Sequence, residues 1–376
     1  MASTVYCIDF RASFKESLTA KLVRLVKKTG LSDVVAKRDL AAVKLHFGEK
    51  GSTAFIRPVF VGSVVSALKE QGARPFLVDT NTLYAGTRSD TPSHLETAVK
   101  NGFAYSVVEA PLVIADGLRG LADVTVEIGG KHFKSAYIGT DIHHADSLVC
   151  LSHLKGHELS GFGGTLKNIG MGCASRRGKL AMHSTVSPKV TSKKCVSCGE
   201  CKKHCPADAI SFNENKKAVI DEKKCIGCGE CIVVCAVGAV QIRWNQSVPV
   251  FLEGMMEYAK AVIQEKKGKA LYVNFINNIS PMCDCVNHSD APIVRDIGIA
   301  ASLDPVALDQ ASVDLVNREA AFAGSCLKTH TAAGEDKFKG LYPEVDWEIQ
   351  LDYAEKLGLG KRNYSLKMLE TLGLKD

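Results

Sequence analysis

Residues 195–235 read CVSCGECKKHCPADAISFNENKKAVIDEKKCIGCGECIVVC, and the rest of the chain divides around this stretch. Eight cysteines fall in two copies of one pattern, Cys-x-x-Cys-x-x-Cys-x-x-x-Cys: Cys195, Cys198, Cys201 and Cys205, then Cys225, Cys228, Cys231 and Cys235, with Pro206 directly after the first copy. Two other uses of cysteine fit poorly. Structural zinc sites set two Cys-x-x-Cys pairs apart by a longer loop and take four ligands. Disulfides need an oxidising compartment, and the opening residues MASTVYCIDF carry no basic segment leading into an apolar one.

The spacing is that of bacterial ferredoxins with two 4Fe-4S clusters, in which the fourth cysteine of each run ligates the other cluster. It predicts Cys195, Cys198, Cys201 and Cys235 on one cluster and Cys225, Cys228, Cys231 and Cys205 on the second.

Working outward, 376 residues with 46% hydrophobic content suffice for two or three domains with a sizeable core. The longest apolar runs, such as Val59 to Leu68, are too short to cross a bilayer, so a cytoplasmic protein without a membrane span is expected. Fourteen cysteines leave six outside the motifs, namely Cys7, Cys150, Cys173, Cys283, Cys285 and Cys326; clusters and free thiols together suggest an anaerobic setting. The net charge is +6, and Lys189 to Arg243 carries ten Lys and Arg against six Asp and Glu. That excess reads either as a solvated surface or as a docking face for an acidic, soluble electron carrier or redox enzyme. The basic residues flank cysteines with no interleaved aromatics, which argues against nucleic acid.

Before the cysteine segment, strands at 5–10, 40–47 and 75–79 alternate with helices at 13–28, 58–70 and 94–101, and residues 124–138 alternate as a hairpin turned at Gly129-Gly130. Phe14, Leu18, Leu22, Leu25 and Val26 mark the apolar face of the first helix. After it come a helix at 249–266, strands at 270–276 and 297–301, and helices at 305–316, capped by Asp304, and 347–357. The expected fold is α/β, a mainly parallel sheet with helices on both faces, formed by residues 1–188 and 244–376. A small α+β ferredoxin-like unit spans 189–243, entered at Ser187-Pro188 and left near Trp244.

In such sheets ligands sit beyond the carboxyl ends of the strands. Two loops there carry His46, Asp79 and Arg88. A third, HLKGHELSGFGGTLKN at 153–168, is the densest polar stretch. Its glycines, Gly163 and Gly164 among them, let backbone approach a ligand, and a helix beginning near Gly164 presents its positive end to an anion. Lys155 and Lys167 add charge, Asn168 adds hydrogen bonding, and His153, His157 and His183 are candidate proton donors. The spacing is neither that of a P-loop nor of a dinucleotide fingerprint. Further on, Cys283-Asp284-Cys285, with His288 nearby, is a pair that can ligate metal, exchange a disulfide or lie idle.

The stretches VKLHFGEKGSTAFIRP (43–58), DTNTLYAGTR (79–88), SHLKGHELSGFGGTLKNIGMGCASRRGK (152–179), PMCDC (281–285) and DIGIAASLDPVALDQA (296–311) resemble the domain-of-unknown-function 362 family of uncharacterised Fe-S center proteins. That likeness implies an architecture and no activity. The loop from His157 to Lys167 is also similar, more faintly, to the nickel-pincer lactate racemase family, whose lysine holds a pyridinium-derived cofactor while histidines handle protons and hydride. Only Lys167, with His153 and His157 beside it, carries over. Asn168-Ile169-Gly170 departs from the racemase pattern, and racemases need no ferredoxin.

These readings converge on an iron-sulfur oxidoreductase that passes electrons through two 4Fe-4S clusters to an anionic small molecule or further cofactor at the 153–168 loop. A non-catalytic electron-relay or docking subunit is the alternative, and metal delivery through Cys283 and Cys285 a third.

Overall fold

The computed structural model describes residues 2–184, 187–243 and 246–373; Trp244, the expected end of the cysteine segment, lies outside them. Eight strands form one sheet in the order Tyr364–Met368, Ser3–Asp9, Gly298–Ser302, Ala270–Ile276, Ser147–His153, Leu40–Lys44, Arg74–Asp79 and Leu112–Ile114. Neighbours run parallel, except that Gly298–Ser302 is antiparallel to the strand on either side. The fold is therefore mixed α/β around a large, mainly parallel sheet. Strands from both sides of the cysteine segment take part, since Ala270–Ile276 pairs directly with Ser147–His153.

Period-two side-chain alternation explains why both faces need cover. In the strand Ser147–His153, Leu148 and Cys150 enter one apolar core while Val149 and Leu151 enter another. The helices Leu18–Thr29 and Pro58–Glu70 pack into the second core, and Val248–Glu265 and Pro305–Asn317 into the first. Asp304 caps the last of these, accepting from the Val306 and Ala307 amides.

Two local expectations shift. The first helix, expected from 13, starts at Leu18 because Ser17 supplies the cap, accepting from the Ala20 amide. Ser13 Oγ instead accepts from the Lys15 and Glu16 amides in a turn, and Phe14 is left exposed. The edge strands Leu112–Ile114 and Tyr364–Met368 were not anticipated.

Residues 189–241 form two two-stranded antiparallel ladders, Lys189–Val190 with Val240–Gln241 and Ile210–Phe212 with Ala218–Ile220, and two one-turn helices, Glu200–Lys203 and Glu230–Val233. The sequence repeat is also a backbone repeat. Ser197 and Gly227 share positive φ, as do Gly199 and Gly229, and the Ala209 and Ala239 amides donate to Cys205 and Cys235 Sγ at 3.3 and 3.1 Å. Positive φ at Ser197, which has a Cβ, marks a turn the surroundings enforce.

Candidate functional site

A cavity of about 480 Å³ opens where the strands Leu40–Lys44, Arg74–Asp79 and Ser147–His153 end. Its size suits a small molecule. His46, Asp79, Arg88, Lys155, His157, Gly164, Lys167, Asn168 and His183 all line it, joined by Lys44, Lys179, Cys283 and Cys285. Leu83, Leu159, Met171, Phe251 and Val286 give it apolar patches.

The charges on the first wall are largely spent on one another. Buried Asp79 lies 3.0 Å from Lys44 Nζ, 3.7 Å from Arg88 Nη1 and 3.7 Å from His94 Nε2. Burial opposes its charge, but Lys44 and His94 outweigh it and hold the carboxyl well below the usual range. Arg88 also meets Glu49 Oε2 at 3.2 Å and donates to Tyr84 Oη at 3.0 Å. Lys44 donates to Asn168 Oδ1 at 2.6 Å, so Asn168 couples this wall to the polar loop. Burial, with the Arg88 charge, holds His46 well below its ordinary pKa; the Gly48 amide donates to its Nδ1, leaving the proton on Nε2.

Within the polar loop the histidines part company. His157 Nδ1 accepts from the Leu159 and Ser160 amides, both at 3.2 Å, so Nε2 carries the proton. His153 does not line the cavity. Its Nδ1 donates to Asp284 at 2.9 Å and its Nε2 to the Asn277 carbonyl at 2.9 Å, which commits both ring nitrogens to a buried scaffold instead of to proton delivery. His183 lines the cavity, but its Nδ1 donates to the Lys179 carbonyl at 2.8 Å, and burial pushes its pKa down to about 4. At neutral pH it is an uncharged ring, a weak candidate for proton donation.

The expected helix does begin beside Gly164, at Thr165–Gly170. Its positive end is occupied from within: Asp309 accepts from the Thr165 and Leu166 amides at 2.8 and 2.9 Å and from Asn274 Nδ2 at 2.8 Å. A Cβ on Gly164 would stand 2.4 Å from Asp309 Oδ1, so this glycine is there for the carboxylate's approach and not for a ligand's. Gly163 lies outside the lining, beneath the Lys167 and Lys155 stems.

Lysine remains. Lys155 meets Asp284 at 3.3 Å. Lys179 donates to Thr80 Oγ1 and to the Asn81 and Ala174 carbonyls at 2.7 and 2.8 Å, and burial pushes its pKa down to about 8. Among the described residues no carboxylate lies within ion-pair distance of Lys167 or Lys179. Lys167 Nζ stands 3.5 Å from Cys283 Sγ.

The Cys283-Asp284-Cys285 turn closes the site. The Val286 amide donates to the Cys283 carbonyl at 3.1 Å, the Glu49 amide to the Asp284 carbonyl at 3.0 Å and Tyr84 Oη to the Cys285 carbonyl at 2.9 Å. Gly156 packs so closely that a Cβ would sit 2.1 Å from the Pro281 carbonyl. A thiol hydrogen bond from Cys285, with Lys167 and His157 alongside, holds Cys283 well below the ordinary thiol range against burial, and Cys285 is raised correspondingly.

Two smaller cavities lie in the cysteine segment. One is lined by Cys195, Cys198, Cys201 and Cys235, the other by Cys205, Cys225, Cys228 and Cys231. Among the described residues no three His, Cys, Asp or Glu side chains converge tightly enough for a single metal ion. The second motif abuts the large cavity's wall: a Cβ on Gly229 would lie 3.1 Å from Leu83 and 3.2 Å from Arg176. Glu230 takes Arg176 Nη1 at 2.5 Å and Arg119 Nη1 at 2.7 Å. No described helix is long and apolar enough to cross a membrane.

Lys44, Lys179, Asp284 and Asp309 are the site residues that sequence reasoning missed. Lys44 and Lys179 stood inside quoted stretches, and a lysine in the apolar run AAVKLHF was a usable signal. Asp309 offered none, because the helix amides it meets, Thr165 and Leu166, are more than 140 residues away.

Comparison with solved structures finds the lactate racemase apoprotein from Thermoanaerobacterium thermosaccharolyticum, at 15% identity over 72% of this chain and 50% of that one, TM-score 0.37. It also finds a structural-genomics protein from Thermotoga maritima, at 10% identity over 90% of this chain and 58% of that one, TM-score 0.37. This chain thus spans half of the first and 58% of the second. A search of curated proteins gives no match. A family profile described as Domain of unknown function (DUF362) matches residues 41–314, and the chain belongs to that family.

Proposed function

We infer that the protein is an iron-sulfur oxidoreductase, with residues 189–243 as an inserted two-cluster, ferredoxin-like unit and the large cavity as the place where a small anionic molecule or further cofactor is held. One observation carries this reading. The cysteines divide into two sets of four, each set surrounds its own cavity, and each takes three members from one motif and one from the other. Such sharing suits two 4Fe-4S clusters. In a cluster each thiolate bonds a different iron, so the sulfurs stand further apart than they would around one ion. Bound clusters would supply one-electron transfer.

The chain's own residues do the rest. Lys167, which lacks a bonded carboxylate among the described residues, favours an anion in the cavity. The Leu83–Gly229 contact places its wall beside the second cysteine set. His157 holds a proton at Nε2 within the cavity, a better donor than His153 or His183. The basic surface of the insert suits an acidic carrier of electrons in the cytoplasm.

Anaerobic purification with iron and sulfide analysis is the test. About eight of each per chain is expected, falling by about half in Cys228→Ser; about four in the unaltered protein rules out the two-cluster reading. Calorimetric titration with small carboxylates and inorganic phosphate tests the cavity, with binding lost in Lys167→Met.

A further inference from the structure

One pair of side chains in the large cavity has no part in that reading. Cys283 and Cys285 are the first and third residues of a hydrogen-bonded turn and both face the cavity. Such a turn holds its first and third residues within the separation that disulfides span. The turn is fixed from behind by Asp284 on His153 and Lys155, and from the side by Tyr84 and Glu49. Nothing comparable holds Cys326, which is exposed in a loop, or Cys150 and Cys173, which lie buried beneath the sheet's helices.

We propose that Cys283 and Cys285 are a redox-active dithiol whose substrate is a small anionic disulfide bound in this cavity. The proposal deepens the reading above by naming the chemistry of the cavity's occupant. Lys167 is placed to do two things, standing 3.5 Å from Cys283 Sγ and carrying a charge that no carboxylate of the described residues neutralises within ion-pair distance. His157 lines the same cavity and also holds the Cys283 thiol down. Both favour the thiolate, which is the reactive form.

The step balances within the pair and its substrate. The Cys283 thiolate attacks one sulfur of R–S–S–R; the substrate S–S bond breaks, one RS⁻ leaves and the mixed disulfide Cys283–S–S–R forms. Cys285, giving its proton to the departing thiolate, attacks Cys283 Sγ; the mixed disulfide breaks and the second RS⁻ leaves. Thiolate, thiol and R–S–S–R become a protein disulfide, RSH and RS⁻, with two electrons passed to the substrate. Two electrons and one proton reset the pair. They come from a soluble dithiol in the assay, and in the cell from the one-electron carriers inferred for the insert, two carriers matching the two electrons needed.

The test uses the full chain, reduced with dithiothreitol and freed of reductant under anaerobic conditions. Glutathione disulfide is the anionic probe and 2-hydroxyethyl disulfide the uncharged control. The expected result is two thiols released per chain from the glutathione probe, with at least tenfold preference over the control. Peptide mass spectrometry then finds residues 281–285 two hydrogens lighter and resistant to iodoacetamide. Cys285→Ser should stop halfway, releasing one thiol and retaining a glutathione adduct on Cys283; Cys283→Ser should release none. Lys167→Met, which leaves both sulfurs in place, should move the pH midpoint of Cys283 alkylation upward. Thiol release undiminished in Cys283→Ser, or no 283–285 disulfide across a full series of dithiothreitol ratios, overturns the proposal. Iron analysis reports separately: an active pair without iron removes the electron route and keeps the dithiol, whereas an inert pair beside about eight irons does the reverse.

Discussion

His153 Nδ1 donates to Asp284 Oδ1 across 2.9 Å, tying the end of a central strand to the turn that carries the two cavity cysteines. Both groups are buried, and Lys155 Nζ stands 3.3 Å from the other carboxylate oxygen. Removing one partner of such a cluster typically costs roughly 3–5 kcal/mol, because the remaining charge stays out of water. His153→Ala is therefore expected to lower the denaturation midpoint strongly. Burial works against the Asp284 charge, but His153 and Lys155 prevail and hold its pKa below the ordinary value. The stabilisation is accordingly present above the ordinary carboxylate pKa and lost as pH falls through and below it. Denaturant titrations at pH 7 and pH 3 check this: the gap between His153→Ala and the unaltered protein should shrink at the lower pH.

Asp309 carries the opposite sign. Burial raises its pKa from 3.8 to about 6, ahead of the hydrogen bonds from Asn274, Leu166 and Thr165 that favour the charge. A carboxyl whose folded pKa lies above its unfolded value contributes stability below pH 3.8 that fades as pH rises through about 6. Two pKa units correspond to roughly 3 kcal/mol. The stability of the protein relative to Asp309→Asn should fall by that order between pH 4 and 7; a flat difference across the range would remove Asp309 as its source.

Gly156→Ala tests the fit of the polar loop against the cysteine turn. The added methyl would stand 2.1 Å from the Pro281 carbonyl, a backbone atom that cannot swing aside. Overpacking of this kind costs about 1–3 kcal/mol. Since Pro281 leads into Cys283, the displacement should also slow alkylation of Cys283 at neutral pH, which mass spectrometry of the 281–285 peptide measures directly.

The two arginines on Glu230 should differ sharply. Arg176 is fully buried, whereas the Arg119 side chain is 55% exposed. Arg119→Ala is expected to cost under about 1 kcal/mol. Arg176→Ala strips a buried carboxylate of its inner partner, at roughly 3–5 kcal/mol, and should raise hydrogen exchange through 225–235. Equal effects from the two variants would refute this account of the clamp.

The strands expected at 270–276 and 40–47, the second ending already at Lys44, and the helices expected at 58–70 and 305–316 were legible because apolar runs and end signals agree with the packing around them. Tyr364–Met368 was missed although Tyr-Ser-Leu-Lys-Met alternates apolar with polar and Tyr364 and Leu366 pack on the core; five residues on an exposed edge make a short signal. The candidate site was half legible. Polar residues at strand ends gave its location, because a parallel sheet gathers those ends on one edge. What each did there depended on contacts far apart in the chain. His153 turned to Asp284, Asp309 took the helix end expected for a ligand, and Lys44 and Lys179 came inward. The sequence repeat foretold the backbone repeat of the cysteine segment because positive-φ positions follow the motif's own spacing.

The ladder between Lys189–Val190 and Val240–Gln241 brings the two ends of that segment to one point. A loop whose ends are already held together adds little closure entropy when the chain on either side folds. The strands Ser147–His153 and Ala270–Ile276 can then find one another as if the intervening residues were a short connection. Assembly of the sheet and folding of the cysteine-rich lobe become separable in time, so a half-folded lobe need not hold up the body that carries it.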